Sequence, residues 1–215
     1  MKETGASDPT PAADAALCER ILGAAFKMFT QNGYAGTSTL EIATRAKVSK
    51  RALYANFGSK QAILVACIAS RASRMRLSPD LPTPRTRDML AATLTTFGAV
   101  VLREVSDRRV IAMFRLAIAE AERSPEVAGT LAANRRTNRS ALAKLLAAAQ
   151  TMGILGPGDA RQMTEQYFAL LWGDLMMGRL LGVVATPGPA KIDEKAHAAT
   201  EAFLKLYANP TTSAG

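Results

Sequence analysis

The side chains of this chain that are best suited to chemistry are basic, and they are concentrated in one segment. Residues 42–79 contain eight Lys and Arg and no Asp or Glu. Residues 1–41 carry three bases and five acids, and residues 80–215 carry 16 bases and 13 acids, so most of the formal net charge of +9 arises in that segment. A solvated surface usually mixes both signs. The segment is therefore predicted to bind a polyanion, either nucleic acid or an anionic membrane surface.

Short helices must position these basic residues. Ser38 and Glu41 have the spacing of a capping box, Ser49 is a suitable cap for the next helix, and Gly33 marks a break before them. The pattern predicts four helices ahead of a proline-rich break at 78–84, at about 13–32, 38–46, 49–54 and 59–76. Two short helices joined by a tight turn, between two longer ones, indicate a helix-turn-helix.

The third predicted helix presents the residues that read DNA in such a unit. Lys50 and Arg51 are suited to guanine edges or phosphates, and Ala52 is suited to a thymine methyl, while Leu53 faces inward. The predicted DNA-contacting residues are Thr37, Ser38, Thr39, Lys47, Ser49, Lys50, Arg51, Ala52, Tyr54, Asn56 and Lys60. The spacing alone also fits a small helical core with a solvated basic face. The lack of acids in the segment favours the DNA-binding interpretation.

A family resemblance rests on many of these positions at once. Residues 33–38, 42–43, 46–60 and 63–64 resemble the DNA-binding domain of TetR-family bacterial transcriptional regulators, over about 17–68. Two positions depart from the family pattern. Lys47 stands where the family usually has Gly, which would cost about 1 kcal/mol if its φ is positive. Asn56 stands where a His or Tyr is usual, which makes its phosphate contact less secure.

The rest of the chain is also predicted to be helical, because Ala, Leu, Met, Arg, Glu and Lys dominate and no segment alternates like a strand. Five longer helices are predicted, at about 85–105, 107–122, 125–151, 159–183 and 190–207. Residues 114–126 are similar to the C-terminal domain of AefR-like TetR regulators. The expected fold is all-α with about nine helices. Its predicted parts are a disordered arm at 1–12, a helix-turn-helix domain at 13–58, a linking helix at 59–78, a helical ligand-binding and dimerisation domain at 79–208, and a tail at 209–215.

The resemblance implies an effector pocket and a dimer interface in the second domain. The predicted pocket residues are Met89, Phe97, Val101, Met113, Phe114, Ala117, Asn134, Asn138, Leu142, Tyr167, Leu171 and Trp172. Apolar stripes at this spacing belong more often to a core than to a pocket. Arg135, Arg136 and Arg139 are expected on a solvated face. The predicted dimer residues are Leu175, Gly178, Leu181, Gly182, Ala198, Ala202, Phe203 and Leu206.

The chemistry of an enzyme is not indicated. One His and two distant Cys have no metal-ligand spacing, and the Gly-rich segment 153–158 lacks the Lys and Ser or Thr of a phosphate loop. No cofactor or metal is therefore expected. Cys18 and Cys67 are expected to be reduced, with a redox role for either as a minor alternative. The first residues lack a signal-peptide core and no segment reads as a membrane span, so a cytoplasmic protein is expected.

These observations predict a transcriptional regulator that is not an enzyme. The expected protein is a homodimer that represses transcription from a pseudo-palindromic double-stranded operator, and a small apolar or amphipathic effector releases it. Two alternatives remain open. One is an architectural protein that binds DNA without sequence preference, and the other is a helical enzyme with an apolar cavity.

Overall fold

The computed structural model describes residues 11–73, 83–122 and 125–209, and these residues form ten helices and no strand. The helices are α1 (Pro11–Asn32), α2 (Thr39–Ala46), α3 (Lys50–Phe57), α4 (Lys60–Ser73), α5 (Arg87–Ser106), α6 (Arg108–Glu120), α7 (Pro125–Thr151), α8 (Ala160–Trp172), α9 (Leu175–Leu181) and α10 (Pro189–Leu206). The all-α prediction is confirmed.

The first four helices close around a compact apolar cluster. Ile21, Ala25 and Phe29 recur at four-residue spacing on α1 and are almost fully buried, so one face of α1 is turned to the cluster. The other members come from α2 (Ile42), α3 (Leu53) and the inner face of α4. Met113 and Ala117 of α6 and Val127 of α7 complete the same cluster. The N-terminal unit is therefore packed against the second half of the chain.

The second cluster fills a bundle of α5, α7, α8 and α10, and Tyr167 lies at its centre. The Tyr167 hydroxyl donates to the carbonyl oxygen of Leu94 at 2.6 Å, and its ring meets Phe203 edge-on at 5.5 Å. Desolvation raises the pKa of Tyr167 to about 12. Gly98 makes this packing possible, because a Cβ there would lie 2.6 Å from the Tyr167 hydroxyl and 2.9 Å from Leu171 Cδ1.

The helix predicted at 159–183 is wrong, because it is two helices. α8 ends at Trp172, where Gly173 adopts φ +48°, and α9 follows until Gly182 adopts φ +79°. Arg179 in α9 is buried and donates to the carbonyl oxygens of Ser106 and Val184 at 3.1 and 3.0 Å. The bond to Ser106 attaches α9 to the end of α5, and the bond to Val184 holds the segment that follows α9. Ten helices, rather than about nine, result from this break.

The start of α1 and the end of α3 also differ from the predictions. α1 starts at Pro11, inside the predicted arm, and Pro suits a first helical position. α3 continues to Phe57, three residues past its predicted end. The side chain of Asn209, at the predicted start of the tail, donates to the Gly153 carbonyl at 2.8 Å. The rest of the arm, the tail after Asn209 and the break at 74–82 lie outside the described residues. The remaining domain boundaries stay predictions.

Among the described residues, α5 alone is a single helix long and apolar enough to cross a membrane by length and composition. Half of its most apolar window is buried within the protein. Leu90, Leu94 and Leu102 on this helix are completely covered by the bundle. The apolar character of α5 is therefore accounted for by the core of the fold.

Candidate nucleic-acid interface

The N-terminus of α2 is fixed by a complete capping box. The Ser38 hydroxyl accepts a bond from the Glu41 backbone N–H at 3.2 Å, and the Glu41 carboxylate accepts from the Ser38 backbone N–H at 2.8 Å. The backbone bond and a second bond from the Ser38 hydroxyl lower the pKa of Glu41. Such caps typically stabilise a helix by about 1 kcal/mol. The capping-box spacing in the sequence thus corresponds to real bonds.

The turn between α2 and α3 passes through a left-handed residue. Lys47 has φ +54° and ψ +48°, and among the described residues it is the one non-glycine with positive φ. Its side chain is exposed, while Val48 is half-buried and its N–H donates to the Ala43 carbonyl at 3.0 Å. Lys47 therefore has the positive φ at which a Lys is less favourable than the Gly that the family usually has. The left-handed conformation costs about 1 kcal/mol, and the Lys places a positive charge at the turn.

α3 presents its first turn to solvent. Ser49 caps it by accepting from the Ala52 N–H at 3.0 Å, and both Lys50 and Arg51 are exposed. One turn later Tyr54 lies under Lys50, with Nζ 5.8 Å from the ring centre. The Tyr54 hydroxyl is 3.1 Å from Thr39 Oγ1 on α2, which joins the two helices at the surface. The structure thus brings the basic pair, Tyr54 and the α2 N-terminus to one region.

Two residues predicted to contact DNA have a different role in the structure. Thr37 is 1% exposed, and its hydroxyl donates to the Gly33 carbonyl at 2.8 Å. Lys60 Nζ donates to the carbonyls of Tyr34 and Thr37, both at 2.9 Å, and lies 4.3 Å from the Tyr34 ring centre. Both side chains therefore hold the α1–α2 loop together, and the expectation of phosphate contacts is corrected for them.

The other predicted contacts keep an exposed or half-exposed side chain. Asn56 is exposed, but its amide is engaged inside the unit: Nδ2 donates to the Ala52 carbonyl at 2.8 Å, and Oδ1 accepts from Cys18 Sγ at 3.4 Å.

Cys67 is buried, and desolvation raises the pKa of its thiol to about 12. A protonated thiol is a poor nucleophile, so the redox alternative loses support for Cys67.

A second candidate site is a cavity of about 600 Å³ between α5, α6, α7 and α8. Four predicted pocket residues line it: Val101, Phe114, Asn138 and Trp172. Six others lie in the two cores, namely Met113 and Ala117 in the N-terminal cluster and Phe97, Leu142, Tyr167 and Leu171 in the bundle. Met89 is 41% exposed, and the side chain of Asn134 lies outside the described residues.

Several residues of this cavity are not among those predicted from the sequence. Arg135 and Arg139 line it, although both were expected on a solvated face, and Glu165 and Phe168 line it from α8. The α7 residues of the lining could have been grouped from the sequence, since Arg135, Asn138 and Arg139 lie on one face of that helix at three- and four-residue intervals. The spacing does not show which helix that face packs against.

The predicted dimer residues fall on two separate surfaces. Phe203 and Gly178 are buried within the chain, so neither is available to a partner in this conformation, which corrects two of the predictions. Leu181 and Gly182 lie at the exposed end of α9, which packs against α6. Ala198 and Leu206 are exposed on α10, which packs against α5 and α8. Leu175 and Ala202 are half-buried.

Two short helices, of which the second (α3, the reading helix) is capped and basic, are packed on a larger helical bundle. This arrangement defines a helix-turn-helix DNA-binding protein. Comparison with the sequence models of known families identifies the family. Residues 21–67 match the model described as bacterial regulatory proteins, tetR family, and residues 92–209 match the AefR-like transcriptional repressor, C-terminal domain. The chain belongs to the TetR family of DNA-binding transcriptional regulators. The family and subgroup predicted from the sequence are both confirmed.

Individual proteins show the same similarity over most of the chain. An uncharacterized HTH-type transcriptional regulator, YvkB, from Bacillus subtilis is 23% identical over 155 residues, which are 72% of this chain and 79% of that protein. A TetR regulator structure from Agrobacterium tumefaciens superposes with a TM-score of 0.74 at 26% identity, covering 95% of this chain and 98% of that one. The flavonoid-responsive regulator FrrA gives a TM-score of 0.69 at 27% identity, with coverages of 89% and 97%.

Proposed function

We propose that this protein is a cytoplasmic, homodimeric repressor that a small molecule releases from its operator. Each protomer would insert α3 into a major groove, with the two half-sites about 34–36 Å apart on a pseudo-palindromic sequence. The exposed Lys50 and Arg51 would read bases, and the exposed Lys47 and Ser49 would contact the backbone. The C-terminal bundle would provide the dimer contact and the effector site.

One observation carries the proposal: the helices that line the cavity also complete the core of the N-terminal unit. On α6, Phe114 lines the cavity while its neighbour Met113 is buried in the N-terminal cluster. On α7, Leu131 lines the cavity and also packs against that cluster. A ligand that moves either helix would therefore disturb the packing of α1 and α4, which hold the reading helix.

This shared packing gives a physical route for release. A ligand changes an equilibrium only by its difference in affinity for two states. Here the state that binds DNA and the state released from DNA would differ in how α6 and α7 pack against the N-terminal cluster. The name of FrrA, a flavonoid-responsive relative of the same fold, supports a small organic effector for this chain as well.

The test is a selection of bound DNA from a random double-stranded pool, followed by affinity measurements at moderate salt. We expect one preferred sequence, bound at least about 10³ times more tightly than random DNA. Arg51→Ala and Lys50→Ala should each weaken operator binding by about 10- to 100-fold, since a specific base contact contributes about 1–3 kcal/mol. The matched control is Lys144→Ala, which removes an exposed Lys from α7 and should leave the affinity unchanged.

Other outcomes would identify the alternatives. Near-equal affinity for all sequences would show an architectural DNA-binding protein instead of a regulator. Chemical conversion of a ligand incubated with the protein would support the helical enzyme. Operator discrimination that is unchanged in both α3 variants would contradict the assignment of α3 as the reading helix.

A further inference from the structure

The cavity has the size and lining of a site for a small organic molecule. Its volume of about 600 Å³ falls within the usual range for ligand sites, roughly 300–1,000 Å³. Two aromatic rings of α8 face it, Phe168 and Trp172, which stack edge-on with centroids 6.2 Å apart. Phe114 and Val101 add apolar surface from α6 and α5. This lining favours an apolar ligand body and suits an aromatic one.

The charged residues of the lining are unbalanced. Arg139 pairs with Glu165 at 3.2 Å and lies over the Phe168 ring, 5.4 Å from its centre. Arg135, one turn earlier on α7, forms no ion pair within the described part of the chain. The lining therefore holds two guanidinium groups and one carboxylate, and it carries one positive charge in excess.

The two guanidinium groups also act on one another. Burial, followed by the repulsion from Arg135, lowers the pKa of Arg139, and Glu165 opposes that shift. Like charges four residues apart on a helix are destabilising. An anion placed between them would relieve that repulsion, and Arg binds carboxylates through two parallel N–H bonds.

An indole donor in the same wall also lacks an acceptor. Trp172 Nε1 is shielded from solvent and has no hydrogen-bond partner among the described residues, although Trp N–H groups usually have one when buried. The unmet groups of this wall thus include two kinds of donor, the Arg135 guanidinium and the Trp172 indole N–H, and one acceptor, Asn138 Oδ1.

We propose that the effector of this protein is an aromatic carboxylate, whose rings lie against Phe168 and Trp172 and whose carboxylate is bound by Arg135 beside Arg139. The proposal rests on the function proposed above and names the chemical class of the effector. Arg135 lines the cavity and is exposed, so the charged end of the ligand would lie near solvent.

The test uses matched probes and isothermal titration calorimetry on the full-length protein without DNA. The probes are biphenyl-4-carboxylate, its neutral isostere biphenyl-4-carboxamide, and decanoate, an aliphatic anion. We expect the aromatic carboxylate to bind at least about tenfold more tightly than the carboxamide, since a charge-assisted hydrogen bond contributes about that factor or more. Decanoate should also bind more weakly, because it has no rings to pack against Phe168 and Trp172. Fluorescence of Trp172, the one Trp of the chain, should change on binding.

Two variants should shift this affinity in opposite directions. Arg135→Gln should weaken binding of biphenyl-4-carboxylate by about tenfold and leave the carboxamide unchanged. Glu165→Gln should tighten binding about two- to fivefold, because it removes the competing carboxylate from Arg139. Arg136→Gln is the control, since Arg136 is exposed next to Arg135 and does not line the cavity.

Several results would overturn the aromatic carboxylate. These are no binding of the carboxylate at about 1 mM, equal or tighter binding of the carboxamide or decanoate, and equal effects of Arg135→Gln and Arg136→Gln. Calorimetry without DNA tests the cavity alone. Failure of the operator selection would overturn the proposed regulator instead, so the two failures are distinguishable.

Discussion

The helix-turn-helix unit and the ligand cavity differ in how their residues are brought together. The reading surface is built from residues 38–54, which are close in sequence, and most of its bonds join residues three or four positions apart. The cavity is built from four helices that span residues 101–172. A site of the first kind depends on local caps and turns, whereas a site of the second kind depends on how long helices pack.

The comparison predicts that damage to the core of one region weakens the site in that region more than the site linked to it through α6 and α7. The largest effect is expected for Leu53→Ala, because Leu53 is 0% exposed in the N-terminal cluster. The free energy of unfolding of that unit should fall by about 2–5 kcal/mol in urea titrations, and operator affinity should fall with it. Ligand affinity in the cavity should change less than operator affinity, because the cavity meets this cluster only through α6 and α7. The control Leu40→Ala removes a side chain that is 61% exposed and should change stability by less than about 0.5 kcal/mol.

A substitution in the bundle should have the reverse pattern. Gly98→Ala places a Cβ 2.6 Å from the Tyr167 hydroxyl, so α5 and α8 must separate, and overpacking of this kind costs about 1–3 kcal/mol. Thermal unfolding should show lower stability, and calorimetry should show weaker ligand binding. Operator affinity should change less than ligand affinity, because the α2–α3 surface lies outside the bundle. Gly129→Ala is the matched control, since nothing lies within 4 Å of its Cβ position. That variant should gain about 0.5–1 kcal/mol. A stable Gly98→Ala protein would contradict the close approach of the two helices.

The smallest effect concerns the turn of the reading unit. Lys47→Gly should stabilise the unit by about 1 kcal/mol, because Gly adopts φ +54° without strain. The same change should make the plot of log K for operator binding against log salt concentration less steep. Its slope should fall in magnitude by about one, which corresponds to the loss of one phosphate contact. Lys47→Ala separates the two effects, since it loses the charge and keeps the strain. Equal stability of the Gly and Ala variants would show that the left-handed conformation carries no cost.

Sequence reasoning succeeded where neighbouring residues decide the outcome. Ser38 and Glu41 form the capping box that their spacing predicts, and Ser49 caps α3. It failed for Lys60, because the acceptors of that side chain lie 23 and 26 residues away in the α1–α2 loop. It also failed for Phe203, which was placed in a dimer interface and lies in the core. Helical periodicity identifies an apolar face, but it does not identify the surface that covers that face.

The sequence by itself determined the all-α class, the positions of the short helices and the basic charge of the segment that carries them. Each of these depends on backbone propensity, capping or composition, which act over a few residues. Only the tertiary structure decided that Arg135 and Arg139 face a cavity, that the helix predicted at 159–183 is interrupted at Gly173, and that α6 and α7 link the cavity to the helix-turn-helix unit. These features depend on packing between helices far apart in sequence, where many arrangements share the same pattern of apolar residues.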